Sequence, residues 1–139
     1  MAWHRCYHPL KVPGCVPCST PPERLYCCRQ VSLVEGDIFQ SPFCVAHCVS
    51  SDQALRKGLA REIKRWYPLS WVTRAQDWSV GKVVTQIIDQ NMPTERMIFH
   101  LVTKQRCWDK PQISDIEKCL NELILKMIRC GARHVSVPW

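Results

Sequence analysis

The chain has 139 residues and a mass of 16.2 kDa, which is the size of a single domain. Its 19 Lys and Arg against 12 Asp and Glu give a formal charge of +7, which suits a polyanionic partner such as a nucleotide or a nucleic acid. No apolar run approaches the roughly 20 residues of a membrane-spanning helix, and the start lacks a signal peptide. We therefore expect a nuclear and cytoplasmic protein without membrane contact. In these compartments its ten cysteines would stay reduced.

The first 28 residues contain five of the ten Cys and five of the ten Pro. Because this proline density interrupts helical and strand periods, we interpret residues 1–28 as an irregular arm ahead of a domain at 29–139. Two hypotheses stay open for the arm: a zinc site, suggested by a CxxC spacing, or a leader whose cysteines are incidental. The candidate zinc ligands are Cys15, Cys18, Cys27 and Cys28.

From residue 29 onward, strand and helix patterns alternate. The β-branched run at 31–34 predicts a strand, and the mostly apolar run at 43–49 predicts a buried strand. Apolar side chains then recur at helical spacing over 55–67, and Pro68 ends this helix.

Two further strand patterns follow at 82–88 and 97–103. The longest helix pattern begins at Ser114, where a hydroxyl residue precedes a Glu by three positions as in a capping box, and it ends at Gly131. A final strand pattern covers 135–137. The order β-β-α-β-β-α-β predicts an α/β domain that binds its ligand at the carboxyl ends of the strands.

Six short motifs lie at or after the ends of these strands. In chain order they are Gly-Asp-Ile-Phe (36–39), Ala-His-Cys-Val-Ser-Ser-Asp (46–52), Leu-Arg-Lys-Gly-Leu-Ala (55–60), Leu-Val-Thr-Lys (101–104), Lys-Pro (110–111) and Ser-Val-Pro (136–138). This ordered set resembles the macro domain family, and within it the terminal ADP-ribose protein glycohydrolase, or O-acetyl-ADP-ribose deacetylase, branch. The resemblance covers about three quarters of the chain, and no single motif is specific by itself.

The resemblance implies a macro-like three-layer α/β/α fold with a mixed, mostly parallel sheet. In the family, the strand that matches 136–138 continues into a second phosphate loop with a catalytic Asp, followed by a helix and a last strand. The sequence ends at Trp139. We therefore expect a partial, C-terminally truncated macro domain that lacks the family's last helix and strand, together with that Asp.

The resemblance also implies a cleft for ADP-ribose or O-acetyl-ADP-ribose, with no cofactor. Asp37 would bind the adenine amine beside the Ile38 backbone, while Ser50 and the loop up to Gly58 would lie along the distal ribose and the diphosphate. Lys104 matches the lysine that attacks the anomeric carbon and releases the modified carboxylate, a reaction that requires a neutral amine. The remaining ligand-binding positions implied are Thr103 and Pro138.

One motif departs from the family. Where the family has Gly-Ala-Gly, this chain has Arg56, Lys57 and Gly58. Glycines allow backbone amides to approach a phosphate closely, so an Arg in the first position could block the ligand. Alternatively, the two cations could attract the diphosphate from the rim of the cleft, or they could be solvated residues of a first helical turn.

Three functions remain open at this stage. The first is a hydrolase that removes ADP-ribose from glutamate side chains and deacetylates O-acetyl-ADP-ribose, with Lys104 as nucleophile. The second is a non-catalytic ADP-ribose binder or inactive truncated isoform, and the third is an interaction protein with a zinc-binding arm. The expected partners are mono- or poly-ADP-ribosylated proteins. We expect a monomer without sequence-specific nucleic-acid binding, since no aromatic RNA-recognition pattern is present.

Overall fold

A computed structural model describes the backbone at 2–7, 29–34, 36–88 and 96–138, with side chains from residue 36 onward. In these ranges six strands form one sheet: β1 Ala2–Tyr7, β2 Arg29–Val34, β3 Cys44–Ser50, β4 Val83–Ile87, β5 Met97–Lys104 and β6 His134–Pro138. The helices of the described ranges are a 3₁₀ turn Ile38–Gln40, α1 Gly58–Trp66, α2 Trp71–Arg74 and α3 Ile113–Cys130. None of these helices combines the length and apolarity needed to cross a bilayer.

The strand order across the sheet is β2-β1-β6-β3-β5-β4. Strand β3 is parallel to both of its neighbours, β5 and β6, whereas β4 is antiparallel to β5 and β1 is antiparallel to both β2 and β6. The sheet is therefore mixed. Of the three strand pairs formed by β6, β3, β5 and β4, two are parallel and one is antiparallel. The carboxyl ends of β2, β6, β3 and β5 all lie at the same edge, as the sequence predicted.

Helices cover both faces of the sheet, which gives the three-layer α/β/α arrangement. Neighbouring residues of a strand point to opposite faces, and Val83 and Val84 accordingly belong to two different hydrophobic clusters. The cluster under α3 contains Ala46, Phe99, Leu101, Cys119, Leu123 and Met127. The cluster under α1 and α2 contains Val49, Leu55, Leu69, Trp78, Val84 and Val102. Each fully buried Leu, Met or Phe stabilises the fold by about 1.5–3 kcal/mol.

The interpretation of 1–28 as wholly irregular is wrong for Ala2–Tyr7. This segment is a strand whose backbone pairs with β2 on one side and with β6 on the other. Proline does not interrupt this strand, because the first proline of the chain is Pro9. The candidate zinc ligands all fall within 8–28, which lies outside the described residues, so the zinc hypothesis stays a prediction.

Two helix starts also differ from the prediction. Helix α1 begins at Gly58 rather than near residue 55, because the backbone turns through left-handed φ values of 58° at Gln53, 45° at Leu55 and 59° at Gly58 before the regular helical turns start. Helix α3 begins after Gln112, which forms no side-chain capping bond, so the predicted capping box is wrong and its serine lies inside the first turn. The predicted stop at Gly131 is confirmed, with a left-handed φ of 71°.

Candidate functional site

A cavity of about 330 Å³ lies at the carboxyl ends of β3 and β5. Its walls come from the end of β3, the loop and first turn of α1, and the turn that follows β5. It brings together four of the residues that the sequence singled out: Ser50, Arg56, Lys57 and Lys104. It also includes Cys107 and Trp108, which sequence reasoning did not select because the turn containing them has no recognisable spacing.

Lys104 is the last residue of β5, and its half-buried side chain lines the cavity. Its Nζ atom donates a hydrogen bond to the carbonyl oxygen of Cys107 at 2.9 Å. Two hydrogen bonds close the turn that supplies this carbonyl. The Asp109 N–H donates to the Arg106 carbonyl at 3.0 Å, and the Arg106 N–H donates to Asp109 Oδ2 at 3.1 Å. The amine is therefore held at the cavity wall by a structured turn.

Asp52 connects the two loops that form the cavity. Its Oδ1 accepts hydrogen bonds from Ser50 Oγ at 2.5 Å and from the Ala54 N–H at 3.1 Å, while its Oδ2 accepts one from the Cys107 N–H at 3.0 Å. These bonds, led by the one from Ser50, hold the pKa of the Asp52 carboxyl below its ordinary value. Asp52 thus fixes both Ser50 and the turn that holds Lys104.

The N-terminus of α1 faces the cavity through Lys57 and Ala60. Lys57 occupies the N-cap position without a side-chain capping bond, so the first N–H groups of the helix are available to an anion. Gly58 has a φ of 59°, a conformation that glycine adopts most readily. The Arg56 and Lys57 side chains are exposed and line the cavity, and the three alternatives for them, blocking residues, rim cations or solvated residues of a first helical turn, all stay open.

Asp37 and Ile38 lie outside this cavity. Asp37 is exposed, and its Oδ1 accepts a hydrogen bond from the Phe39 N–H at 3.0 Å as the cap of the 3₁₀ turn. Ile38 is buried and borders a void of about 10 Å³. The same void is lined by Val45 of β3 and Ile98 of β5, so Ile38 packs against the two strands whose other ends form the cavity.

The last two positions implied by the resemblance do not line the cavity. Thr103 is fully buried, and its Oγ1 donates a hydrogen bond to the Val49 carbonyl at 3.4 Å, so its side chain ties β5 to β3. Pro138 is the half-buried end of β6, opposite Ala2 of β1. The ligand-binding roles of Thr103 and Pro138 stay predictions.

Three buried side chains form a hydrogen-bonded chain that joins the neighbouring strands β3, β5 and β4 on one face of the sheet. His47 Nε2 lies 2.7 Å from His100 Nδ1, and His100 Nε2 lies 2.8 Å from Gln86 Oε1. The Gln86 Nε2 group donates to the carbonyls of Tyr67 and Pro68. Since the Gln86 oxygen can only accept, His100 carries its proton on Nε2, and His47 donates from Nε2 to His100. Both histidines are therefore buried members of the core.

Two cysteines border the same cavity, Cys48 from β3 and Cys107 from the turn after β5. The Cys48 side chain is exposed where β3 borders the cavity. The neighbouring protein atoms exclude water from the Cys48 thiol and raise its pKa, so the thiol stays protonated. In the described ranges, no group of three or more His, Cys, Asp or Glu side chains is arranged to hold a metal ion.

A comparison of the chain with models of known protein families gives no match. Among solved structures, the macrodomain of Thermus aquaticus DarG matches with a TM-score of 0.62 at 20% identity, covering 72% of this chain and 70% of that one. The macrodomain of Mycobacterium tuberculosis DarG matches with a TM-score of 0.57 at 20% identity, covering 71% and 68%. The fold is that of a macrodomain, as the motifs indicated.

Sequence comparison points to one kind of macrodomain in particular. The chain is 27% identical to human ADP-ribose glycohydrolase OARD1 over 111 residues, which is 78% of this chain and 70% of OARD1. The cattle protein of the same name is 26% identical over the same length. The chain therefore has the macrodomain fold and is similar in sequence to OARD1, which confirms the resemblance read from the six motifs.

Proposed function

We propose that this chain binds ADP-ribose in the cavity of about 330 Å³ and that Lys104 attacks ADP-ribose linked to a carboxylate. The observation that carries this proposal is the position of Lys104. Its amine lies on the wall of a cavity that also contains Ser50 and the N-terminus of α1. The similarity to an enzyme named ADP-ribose glycohydrolase supports the same substrate class.

The ligand would pass over the start of α1. The diphosphate would take hydrogen bonds from the free N–H groups at the start of α1, with Arg56 and Lys57 adding positive charge at the rim. The adenine would reach toward Asp37, which retains one carboxylate oxygen beyond its bond to the Phe39 N–H. In this arrangement the distal ribose would lie beside Lys104 and Ser50.

The proposed reaction exchanges one bond at the anomeric carbon for another. The neutral Lys104 amine forms a bond to that carbon, the bond from the carbon to the ester oxygen breaks, and the carboxylate leaves with the electron pair. The amine nitrogen gives up a proton to solvent. Water then hydrolyses the sugar–lysine adduct and releases ADP-ribose. Before the attack, the Nζ atom must leave the Cys107 carbonyl, 2.9 Å away.

The same cavity favours a second candidate, an ADP-ribose binder with little turnover. Among the described residues that line the cavity there is no carboxylate, and Asp52, which connects its two loops, has a lowered pKa because of its hydrogen bonds. Hydrolysis of the adduct would therefore lack a general acid, a group that typically raises the reaction rate by about 10²- to 10⁴-fold. This candidate predicts that the adduct accumulates.

Intact-mass spectrometry after a denaturing quench tests both candidates. The wild-type chain, incubated with a glutamate-ADP-ribosylated peptide, is expected to gain one ADP-ribosyl adduct that is absent from Lys104→Ala. Lys126→Ala, on α3 at the opposite face, serves as the matched control and should retain the adduct. Turnover without accumulation supports the hydrolase, whereas accumulation without turnover supports the binder. An adduct that persists in Lys104→Ala would contradict the assignment of the nucleophile.

A further inference from the structure

A second concave surface adjoins the cavity. It is an open groove of about 750 Å³ between α1 and the loops on either side of it, and it shares Leu55 and Arg56 with the cavity. The charged side chains that line it are Arg56, Arg61, Lys64 and Arg65. Among the described residues there is no carboxylate on its walls, and we call this surface the basic groove.

The charge of the basic groove is not neutralised within the described part of the chain. Across 36–88 and 96–138, none of its four cations forms a side-chain hydrogen bond or an ion pair. Glu62 is the single carboxylate of α1, and it does not line the groove. Four like charges at short range repel one another, so an anionic ligand that neutralises them is favoured.

We propose that the basic groove binds an acidic polypeptide segment, namely the segment that carries the ADP-ribosylated side chain. This inference rests on the proposed function, because it extends the substrate from ADP-ribose to the modified protein. Arg56 belongs to both surfaces, so a segment that leaves the cavity enters the groove without crossing a gap. Three of the four cations are Arg, whose planar guanidinium binds a carboxylate with two parallel hydrogen bonds.

The composition of the groove favours an acidic peptide over a single-stranded nucleic acid. Proteins that bind single strands combine positive charge with aromatic side chains on which the bases stack. The uncharged residues that line the basic groove are Ala54, Leu55 and Pro68, so it presents cations and small apolar surfaces without a stacking platform. A peptide with several carboxylates needs no such platform.

Peptide binding to the full 139-residue chain tests the proposal, with Lys104→Ala present throughout so that the ligand stays intact. Two peptides carry one ADP-ribosylated glutamate each and differ in their flanking residues, which are Asp and Glu in one and Asn and Gln in the other. The test variant is Arg61→Gln with Arg65→Gln, which leaves Arg56 in place because it also lines the cavity. The matched control is Lys126→Gln with Arg129→Gln on α3, which removes the same charge from the opposite face.

Because exposed ion pairs change affinity by about 1.5- to 5-fold each, we expect the acidic peptide to bind about 2- to 30-fold more tightly than the neutral one. Arg61→Gln with Arg65→Gln removes two of the four cations and should weaken this preference, whereas the α3 control should keep it unchanged. The preference should also decrease as salt rises. Free ADP-ribose should bind all variants equally, since neither exchanged residue lines the cavity.

The outcomes separate this inference from the proposed function. If ADP-ribose does not bind any variant, the proposed function fails, and the unmodified acidic peptide at low salt still reports on the groove. If wild type shows no acidic preference, or if the test variant retains it in full, the groove does not bind the acidic segment. A single-stranded oligonucleotide that binds the groove more tightly than the acidic peptide would also overturn the proposal.

Discussion

His47 Nε2 and His100 Nδ1 lie 2.7 Å apart in the interior of the domain, although 53 residues separate them in the chain. Burial lowers the pKa of His47 to about 4, and burial together with the neighbouring His47 holds the pKa of His100 well below its ordinary value. Both rings are therefore neutral in the folded chain at physiological pH, and the pair forms one polar connection between β3 and β5.

This pair predicts that the fold is less stable in acid. An unfolded histidine titrates near pH 6.5, so below that pH the unfolded state binds more protons than the folded state, and stability falls as the pH falls toward about 4. We expect His47 alone to cost about 2 kcal/mol between pH 7 and pH 5. Urea unfolding at several pH values measures this slope. His47→Gln should flatten it, whereas His134→Gln, which changes a half-buried histidine outside the pair, should not. An equal slope in His47→Gln and wild type would contradict the prediction.

Replacement of Asp52 tests its role in connecting the two loops of the cavity. In Asp52→Asn the side-chain amide keeps one acceptor oxygen, so it cannot hold Ser50 and the Cys107 N–H together. We expect a loss of about 1–2 kcal/mol of stability and a weaker affinity for ADP-ribose, measured by urea unfolding and by calorimetric titration. Asp77→Asn is the matched control, because Asp77 makes similar local bonds to Ser79 in another loop. Unchanged ADP-ribose affinity in Asp52→Asn would argue against the connection.

A methyl group at Gly58 is expected to strain the start of α1. Gly58 has a φ of 59°, and an added Cβ would meet no atom within 4 Å, so the cost is purely conformational. We expect Gly58→Ala to lose about 1–2 kcal/mol of stability in urea unfolding. Gly36→Ala, equally open but outside the left-handed region, should be close to neutral. Equal stabilities of the two variants would show that the left-handed conformation of Gly58 is not required.

Trp108 offers an aromatic surface at the cavity. It is 70% exposed, and Arg106 Cζ lies 5.4 Å from its ring centre. If a ring of the ligand packs on it, Trp108→Ala should weaken ADP-ribose binding by about 3- to 10-fold and change stability by less than about 0.5 kcal/mol. Trp71→Ala removes an 80% exposed Trp on α2 and should leave binding unchanged. Equal effects of the two variants on affinity would remove Trp108 from the binding site.

Much of the fold was predictable from local patterns. The strands β3, β4 and β5, helix α3 and its end at Gly131 followed from hydrophobic periodicity and stop signals, which depend on residues close together in the sequence. Motif order also identified the macrodomain class. The start of α1 was less predictable, because the left-handed backbone at Leu55 interrupts an apolar spacing that continues in the sequence.

The site was predictable only in part. The sequence placed Ser50 and Lys104 at the carboxyl ends of two strands, and parallel strands bring these ends to one edge. It did not indicate that Asp52 connects the two loops, or that Cys107 supplies the carbonyl that holds the Lys104 amine. Both contacts join segments that no periodic pattern in the sequence connects.

The sequence by itself determined the class of fold, the six motifs, the excess of positive charge and the lysine at the end of β5. Only the tertiary structure decided that Ala2–Tyr7 lies inside the sheet, that His47 meets His100, and that four cations surround a groove beside the cavity. The physical reason is that periodicity records which face of an element is apolar, whereas contacts between distant segments depend on how those faces pack together.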